Sequence, residues 1–248
     1  MASTTEQGHN RNAANFEKLI INCTSYGTAY NPSKASLKLE ALQNLSTAAN
    51  GSITTINTLT ADYKNAVSAR VTAFKALDKL ITRVSNALKA SDTPQQVDDS
   101  AKTILRKLQG RRANPKKTKE EKLAAADAGK AIVEISSSQM SFDSRLDNLD
   151  KLIKLLVSVP QYSPNEEELK TASLTALYND LKSKNIAIIN AETSLSNARI
   201  ARNEVMYKEI LGLVDVAIDV KTYIKSVFGA TSPQYKAISS LKFTNYNN

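Results

Sequence analysis

The chain has 248 residues, of which 42% are hydrophobic and 23% charged, and it carries a formal net charge of +9. Seven glycines and six prolines are few for this length, and such a composition favours long helices over a sheet. The single cysteine, Cys23, excludes an intramolecular disulfide, and the single histidine, His9, excludes histidine-rich metal sites and histidine-based triads. The sequence therefore predicts an all-α protein without a catalytic site, cofactor or metal.

Residues 1–14 form a polar stretch without the apolar centre of a secretory signal, and we expect a flexible tail there. Nowhere does an apolar run approach the roughly 18 residues that a membrane span needs. The sequence thus predicts a soluble cytoplasmic protein, although an export route that uses no N-terminal signal would escape this test. A short amphipathic helix follows, and on its apolar face Cys23 is predicted to be a small buried thiol.

The stretch from Ser33 to about Ser91 contains no proline and one glycine, and we predict one long helix there. Its apolar residues recur every seven positions in three adjacent columns, one of which is Val67, Phe74, Ile81 and Leu88. An apolar face three-sevenths of the circumference wide is typical of a bundle helix rather than a two-stranded coiled coil.

Two capping boxes are predicted in the region that follows. Thr93 with Gln96 would open a short connecting helix that stops at Gly110, and Thr118 with Glu121 would open a longer helix. The longer helix is predicted to run to about residue 159, with a stripe of apolar residues at alternating spacings of four and three.

A last long helix is predicted from Ser163-Pro164 to Phe228, with Gly229 as its C-terminal cap. The remaining residues, 230–248, carry enough apolar side chains to dock on a helical bundle.

The chain also resembles itself. At an offset of 132, residues 30–70 match residues 162–202 at 11 of 41 positions without a gap, including the corners Tyr30-Asn31-Pro32 and Tyr162-Ser163-Pro164. Farther on, Thr93-Pro94-Gln95 matches Ser232-Pro233-Gln234 at an offset of 139. The increase of the offset from 132 to 139 predicts one extra heptad, which would lengthen a helix without rotating its apolar face.

We therefore predict an elongated antiparallel long-helix bundle, with four main helices and a short connecting helix, built from two diverged repeats. The first repeat would cover residues 15–112 and the second residues 113–248, in one continuous domain after the tail.

Two C-terminal motifs add a resemblance. Together with the two tyrosine–proline corners, Ser-Asn-Ala-Arg-Ile-Ala-Arg at 196–202 and Val-Phe-Gly-Ala-Thr-Ser-Pro-Gln-Tyr at 227–235 resemble a family of uncharacterised bacterial long-helix proteins. The resemblance covers nearly the whole chain. It implies a long-helix fold, and because the family has no assigned activity it implies no chemistry.

Arg70 and Arg202 occupy equivalent positions in the two predicted repeats, and Arg70 lies within an apolar column. A charge in such a stripe needs a partner or must extend its guanidinium to solvent. Glu209 and Glu134 are the candidate partners. We interpret the two arginines as devices that fix helix register or as side chains that reach solvent, and the alternative is a contact with a ligand or partner.

The segment 106–122 is the one strongly basic surface that the sequence predicts. It contains eight lysines and arginines against two glutamates, and the candidate polyanion contacts are Arg106, Lys107, Arg111, Arg112, Lys116, Lys117 and Lys119. The segment lacks interleaved aromatic residues for base stacking, so a solvated loop that maintains solubility is the competing interpretation.

The leading functional hypothesis is a non-enzymatic structural or interaction protein, an elongated helical spacer, scaffold or assembling subunit with a protein partner or self-association. A basic protein that binds nucleic acid weakly through 106–122 is the alternative. A protein like the α-helical pore-forming toxins is disfavoured, because no apolar tongue able to enter lipid is visible in the sequence. No small-molecule substrate is indicated.

Overall fold

The computed structural model describes residues 4–111, 118–127 and 140–246. Every regular element in these ranges is a helix, which confirms the all-α prediction for this part of the chain. The α-helices are α1 (Thr4–Ser25), α2 (Leu39–Lys75), α3 (Leu77–Lys89), α4 (Gln95–Leu108), α5 (Lys119–Asp127), α6 (Phe142–Val157), α7 (Thr171–Tyr207), α8 (Leu213–Phe228) and α9 (Pro233–Ser239). Short 3-10 turns lie at Gly27–Ala29, Ala35–Leu37 and Glu167–Leu169.

The chain divides into two compact units. Unit 1 comprises Met1–Lys64 and Asn190–Asn248, and unit 2 comprises Asn65–Ile189. Each unit therefore combines parts of both predicted repeats, and neither coincides with residues 15–112 or 113–248. The division into repeats stays a prediction.

Unit 1 is built around α1, α8 and α9, which pack against one another in pairs. Its apolar core is completed by residues from α2 and α7. The side chains at its centre are Phe16, Leu19, Cys23, Leu42, Leu213, Val216, Val220, Ile224 and Ile238. Because residues 230–246 supply Ile238 and further apolar contacts, the predicted docking of the C-terminal segment is confirmed within this unit.

Unit 2 is built around α4, which packs against both α3 and α6. Two of the three predicted apolar columns form the buried face of α3, one with Ile81 and Leu88 and the other with Leu77 and Val84. The side chains at the centre of this core are Phe74, Leu77, Ile81, Val84, Leu88, Leu105, Leu108, Leu149, Leu152, Leu156 and Leu174.

Each unit contains one of the two tyrosine–proline corners, and their geometry matches closely. The Tyr30 hydroxyl donates to the Leu37 carbonyl at 2.7 Å, and the Tyr162 hydroxyl donates to the Leu169 carbonyl at 2.8 Å. The pKa of Tyr162 is raised to about 12, and burial of the phenol is the largest cause. At both corners a 3-10 turn precedes the long helix, so the predicted helix starts near 33 and 163 are several residues early.

The N-terminal segment is helical from Thr4 onward. The prediction of a flexible polar tail over 1–14 is wrong for residues 4–14, which belong to α1. His9 and Asn12 are only 1% and 2% exposed. Both are polar, so the apolar pattern gave no sign of their burial; the partners that bury them lie about 200 residues or more away.

Three predicted helices are also interrupted. A single non-helical residue, Ala76, separates α2 from α3. A helix that runs unbroken from 118 to 159 is wrong, because Ser141 has an extended ψ of 150° and its hydroxyl caps α6 by accepting from the Ser144 amide. The apolar stripe at 128–139 and Glu134 lie outside the described residues.

The last helix is interrupted as well, because α7 ends at Tyr207 and the loop 208–212 precedes α8. Both α2 and α7 have 37 residues and start 132 residues apart, so the predicted heptad extension of a helix is wrong. The seven extra residues are divided between two places. The loop 208–212 is four residues longer than the single residue Ala76 that separates α2 from α3, and α8 is three residues longer than α3.

Candidate functional site

Arg70 belongs to a cluster of arginines and phenylalanines in unit 2. Its guanidinium lies 4.0 Å from the centroid of the Phe142 ring, and Nη1 donates to Asn185 Oδ1 at 2.8 Å. The Asn185 amide in turn donates to Asp143. A cation over an aromatic face contributes about 0.5–2 kcal/mol, depending on how far it is desolvated. Arg70 thereby links α2 with α6 and α7.

Arg145 completes this cluster from the other side. Phe74 and Phe142 pack edge to face with ring centroids 4.8 Å apart, and the Arg145 guanidinium lies 5.5 Å from the Phe74 centroid. Arg145 is 8% exposed, and Nη2 donates to Asp78 Oδ1 at 2.6 Å. The Nε atoms of both arginines are buried and find no hydrogen-bond partner among the described residues.

Sequence reasoning did not identify Arg145. The signal was available, because Arg145 follows Phe142 by three residues and interrupts the apolar stripe of α6, as Arg70 interrupts that of α2. Two arginines and two aspartates make the cluster close to neutral. The arrangement can hold α2, α3, α6 and α7 in register, and its carboxylates are already engaged by hydrogen bonds from Arg145 and Asn185.

Arg202 lies in unit 1 and is 5% exposed. Its Nε and Nη2 both donate to Asn203 Oδ1, at 3.1 and 2.9 Å. Nearby, the Tyr207 hydroxyl lies 2.5 Å from His9 Nδ1. Burial raises the pKa of Tyr207, while the hydrogen bond from Asn12 and the charge of Arg202 act in the opposite direction.

The contacts described for the two arginines therefore differ. Arg70 contacts a phenylalanine ring and an asparagine, whereas Arg202 contacts an asparagine and lies near a tyrosine. Glu209, the candidate partner of Arg202, is exposed. A shared register role for Arg70 and Arg202 stays a prediction.

Four of the seven candidate polyanion contacts are described. Arg106 is half-buried, whereas Lys107, Arg111 and Lys119 are exposed. The other three, Arg112, Lys116 and Lys117, lie outside the described residues. A contact between this segment and a polyanion stays a prediction.

Local structure gives Arg106 and Lys107 a second role. They occupy the last turn of α4, where positive charge complements the helix dipole. Gly110 follows with a φ of +65°; its amide donates to the Lys107 carbonyl and the Arg111 amide donates to the Arg106 carbonyl, which is a Schellman motif. The predicted stop of this helix at Gly110 is thus confirmed.

The two predicted capping boxes have opposite outcomes. At the start of α5 the Thr118 amide donates to Glu121 Oε2 at 2.9 Å and the Glu121 amide donates to Thr118 Oγ1 at 3.2 Å, which confirms the second box. The first box is wrong, because α4 has Pro94 at its N-cap. The Thr93 hydroxyl instead donates to Asp98 Oδ1 at 2.8 Å.

Cys23 lies in the core of unit 1 and is fully buried, as the sequence predicts. Burial raises the pKa of its thiol to about 12, although a hydrogen bond with Tyr30 acts in the opposite direction. A thiol with such a pKa is almost entirely protonated at neutral pH, so it is a poor nucleophile.

No group of three or more histidine, cysteine, aspartate or glutamate side chains among the described residues is arranged to hold a metal ion. None of the described helices combines the length and the apolar character needed to cross a membrane.

Comparison with family models, with curated proteins and with solved structures gives no match to this chain. The resemblance to uncharacterised bacterial long-helix proteins therefore stays a prediction.

Proposed function

We propose that the chain is a non-enzymatic structural or interaction protein, an elongated helical spacer, scaffold or assembling subunit built from two diverged repeats in an antiparallel long-helix bundle. Two long helices of equal length support the repeats, as do the matched corners. The residues that end those corners, Lys38 and Lys170, have ψ angles of 145° and 144°. A cytoplasmic location is part of this proposal, and fractionation of the native cells tests it.

The observation that carries the proposal is the loop 208–212 of unit 1. Ile210 has a φ of +69°, a conformation that is strained for a β-branched residue. Ile210 and the adjacent Leu211 are 61% and 56% exposed. Two large apolar side chains in solvent on a strained loop are a pattern that favours contact with another macromolecule.

Several contacts fix the shape of this loop. The Ile210 amide donates to Asp215 Oδ2 at 2.9 Å, and the Gly212 amide donates to the Lys208 carbonyl at 2.7 Å. A Cβ atom at Gly212 would lie 2.6 Å from the Lys208 nitrogen, so only glycine fits without rearrangement. The loop thus presents its apolar pair from a defined backbone, which lowers the entropy cost of binding.

Affinity capture from the native cells tests the proposal. The bait is the full chain, and its matched variants are Ile210→Ser with Leu211→Ser, and Ile218→Ser, which alters a single residue of α8 that is 50% exposed. We expect the wild type and Ile218→Ser to retain the same protein, and the loop variant to lose most of it. Equal retention by all three baits would contradict the proposal.

A second candidate is a basic protein that associates with nucleic acid through 106–122. The exposure of Lys107, Arg111 and Lys119 favours it. Each phosphate that a protein neutralises releases condensed counterion, so affinity for duplex nucleic acid should fall steeply as salt rises.

The variant in which Arg111, Arg112, Lys116 and Lys117 become serine separates the two candidates. If the segment binds duplex, the slope of log affinity against log salt should flatten by up to about 3.6 in the variant. The structural proposal instead expects feeble binding at about 150 mM salt and no particular loss in the variant. A mobility-shift titration of both chains measures the difference.

A further inference from the structure

The C-terminal residues 241–246, here called the strap, follow α9 without regular secondary structure and lie against α1. The Asn12 amide nitrogen donates to the Thr244 carbonyl at 2.7 Å, and the Thr244 amide donates back to Asn12 Oδ1 at 3.1 Å. Asn15 donates to the Lys242 carbonyl at 2.8 Å. These bonds all go to the main chain, so they recognise a peptide without regard to its side chains.

A partly buried lysine adds a further main-chain contact at the start of the strap. Lys221 Nζ donates to the Leu241 carbonyl at 2.9 Å and to the Ser239 carbonyl at 3.0 Å. Burial lowers the pKa of Lys221. The strap is therefore held at three successive points, by Lys221, Asn15 and Asn12.

Side chains of the strap also pack against unit 1. Leu241, Phe243 and Tyr246 are partly buried against the core of unit 1. The Tyr246 ring packs edge to face with His9, with centroids 5.7 Å apart. It also covers Gly8, where a Cβ atom would lie 2.4 Å from the ring. Because Gly8 has no side chain, the Tyr246 ring can pack directly against the backbone of α1.

The described residues of unit 2 that the predicted repeat matches to this groove have other contacts. Residues 15–20 match residues 148–153 at an offset of 133, which makes Asn148 the predicted counterpart of Asn15. Asn148 donates to the Ser144 carbonyl in its own helix. At the offset of 139, the chain that follows Ser239 corresponds to residues within α4, which continues to Leu108. Within the described residues, a non-helical segment is held in this way in unit 1, by Lys221, Asn15 and Asn12.

We propose that this groove is a peptide-binding site and that its partner in trans is the strap of a second copy of this chain. Ile238 is fully buried and anchors α9, while the next residues, Ser239 and Ser240, are exposed. Rotation at Ser240 would carry the strap into the groove of a neighbouring copy, where its contacts with Asn12, Asn15 and Lys221 would form again, while the bond from Lys221 to the Ser239 carbonyl would stay within the chain. Exchange of an identical element is a low-cost route to association, since the same bonds form within a chain or between chains. The inference goes beyond the proposed function and does not depend on the loop 208–212.

A complementation experiment with full chains tests the exchange. One variant has a defective groove, Gly8→Ala with Asn12→Ala, and keeps an intact strap. The other has a defective strap, Phe243→Ala with Tyr246→Ala, and keeps an intact groove. Mixed together, they should form a one-to-one heterodimer that associates at least roughly tenfold more tightly than either variant does with itself. Sedimentation velocity and native mass spectrometry measure both states, and a mixture that behaves as the sum of its parts overturns the proposal.

A measurement on the unaltered chain covers the case in which a variant does not fold. Excess peptide with the sequence of residues 241–248 should displace the strap and accelerate hydrogen exchange at the Thr244 amide, whereas a scrambled peptide should not. If the native peptide has no effect, the groove does not exchange its occupant and the proposal fails. If the peptide displaces the strap but folded variants give no heterodimer, the second copy is refuted as the partner.

Discussion

Two glycine substitutions provide a quantitative test of how the C-terminus is seated. Gly8 lies near the start of α1 and Gly51 lies within α2, and replacement of a helical glycine by alanine stabilises a protein by about 1 kcal/mol. At Gly51 an added Cβ atom would have no neighbour within 4 Å, so Gly51→Ala should stabilise the protein by that full amount. For a chain of this size the gain corresponds to a rise in Tm of about 2–4 °C.

At Gly8 the same substitution meets the Tyr246 ring. A separation of 2.4 Å is far below the roughly 3.5–4.0 Å at which carbon atoms pack, so the ring must move away. Its aromatic pair with His9 contributes about 0.5–1.5 kcal/mol, and this loss should offset the helix gain. We expect Gly8→Ala to leave stability nearly unchanged, about 1 kcal/mol below Gly51→Ala.

Urea and thermal unfolding followed by circular dichroism measure these differences. The control is Gly8→Ala in a chain that already carries Tyr246→Ala, where the gain of about 1 kcal/mol should reappear. If Gly8→Ala stabilises the otherwise unaltered chain as much as Gly51→Ala does, the reasoning about the Tyr246 seat is refuted.

Three further predictions follow from buried groups. Cys23 should react slowly with a thiol reagent in the native state and fast in denaturant, because its thiol is buried and has a pKa of about 12; equal rates would place it outside the core. Because the pKa of Tyr162 is raised from 10.0 to about 12 in the folded chain, its contribution to stability should be complete below pH 10 and decline as the pH rises toward 12, which alkaline unfolding curves measure; unchanged stability across that interval would argue against burial of the phenol. Asp78→Ala should cost about 1–3 kcal/mol because it removes the carboxylate bonded to buried Arg145, whereas Asp150→Ala, which breaks a surface pair, should cost less than about 0.5 kcal/mol; similar losses in urea unfolding would contradict this difference.

Local patterns predicted the parts of the fold that depend on local chemistry. Thr118 and Glu121 form the predicted reciprocal cap, and Gly110 and Gly229 end their helices as expected, because each feature needs only residues within a few positions. The buried face of α3 was predicted correctly for the same reason, since the spacing of apolar residues along a helix shows which face is buried.

The interruptions and the buried polar groups could not be predicted in this way. His9 and Asn12 read as a polar tail because their partners, Tyr207 and Thr244, are about 200 residues or more away. The loop 208–212 was missed because the apolar residues on either side continue a helical pattern, and only the structure shows that Ile210 leaves it.

The candidate site was predicted in part. Arg70 was identified because a charge interrupts an apolar column, and the structure adds its contact with Phe142. The contact itself could not be read from the sequence, since it joins positions 72 residues apart on different helices. The hydrogen bonds of Asn12 and Asn15 to the strap could not be read from the sequence for the same reason.

The division into units has a consequence for synthesis on the ribosome. Unit 2 is continuous from Asn65 to Ile189, so its core can close while the rest of the chain is still being made. Unit 1 combines segments on either side of unit 2, and at about 5–20 residues per second the intervening stretch of about 125 residues takes about 6–25 s to translate. During that time the apolar face of α1, including Phe16 and Leu19, has no access to α8 or α9. Until α8 and α9 have been made, the apolar face of α1 therefore depends on protection by chaperones more than the core of unit 2 does.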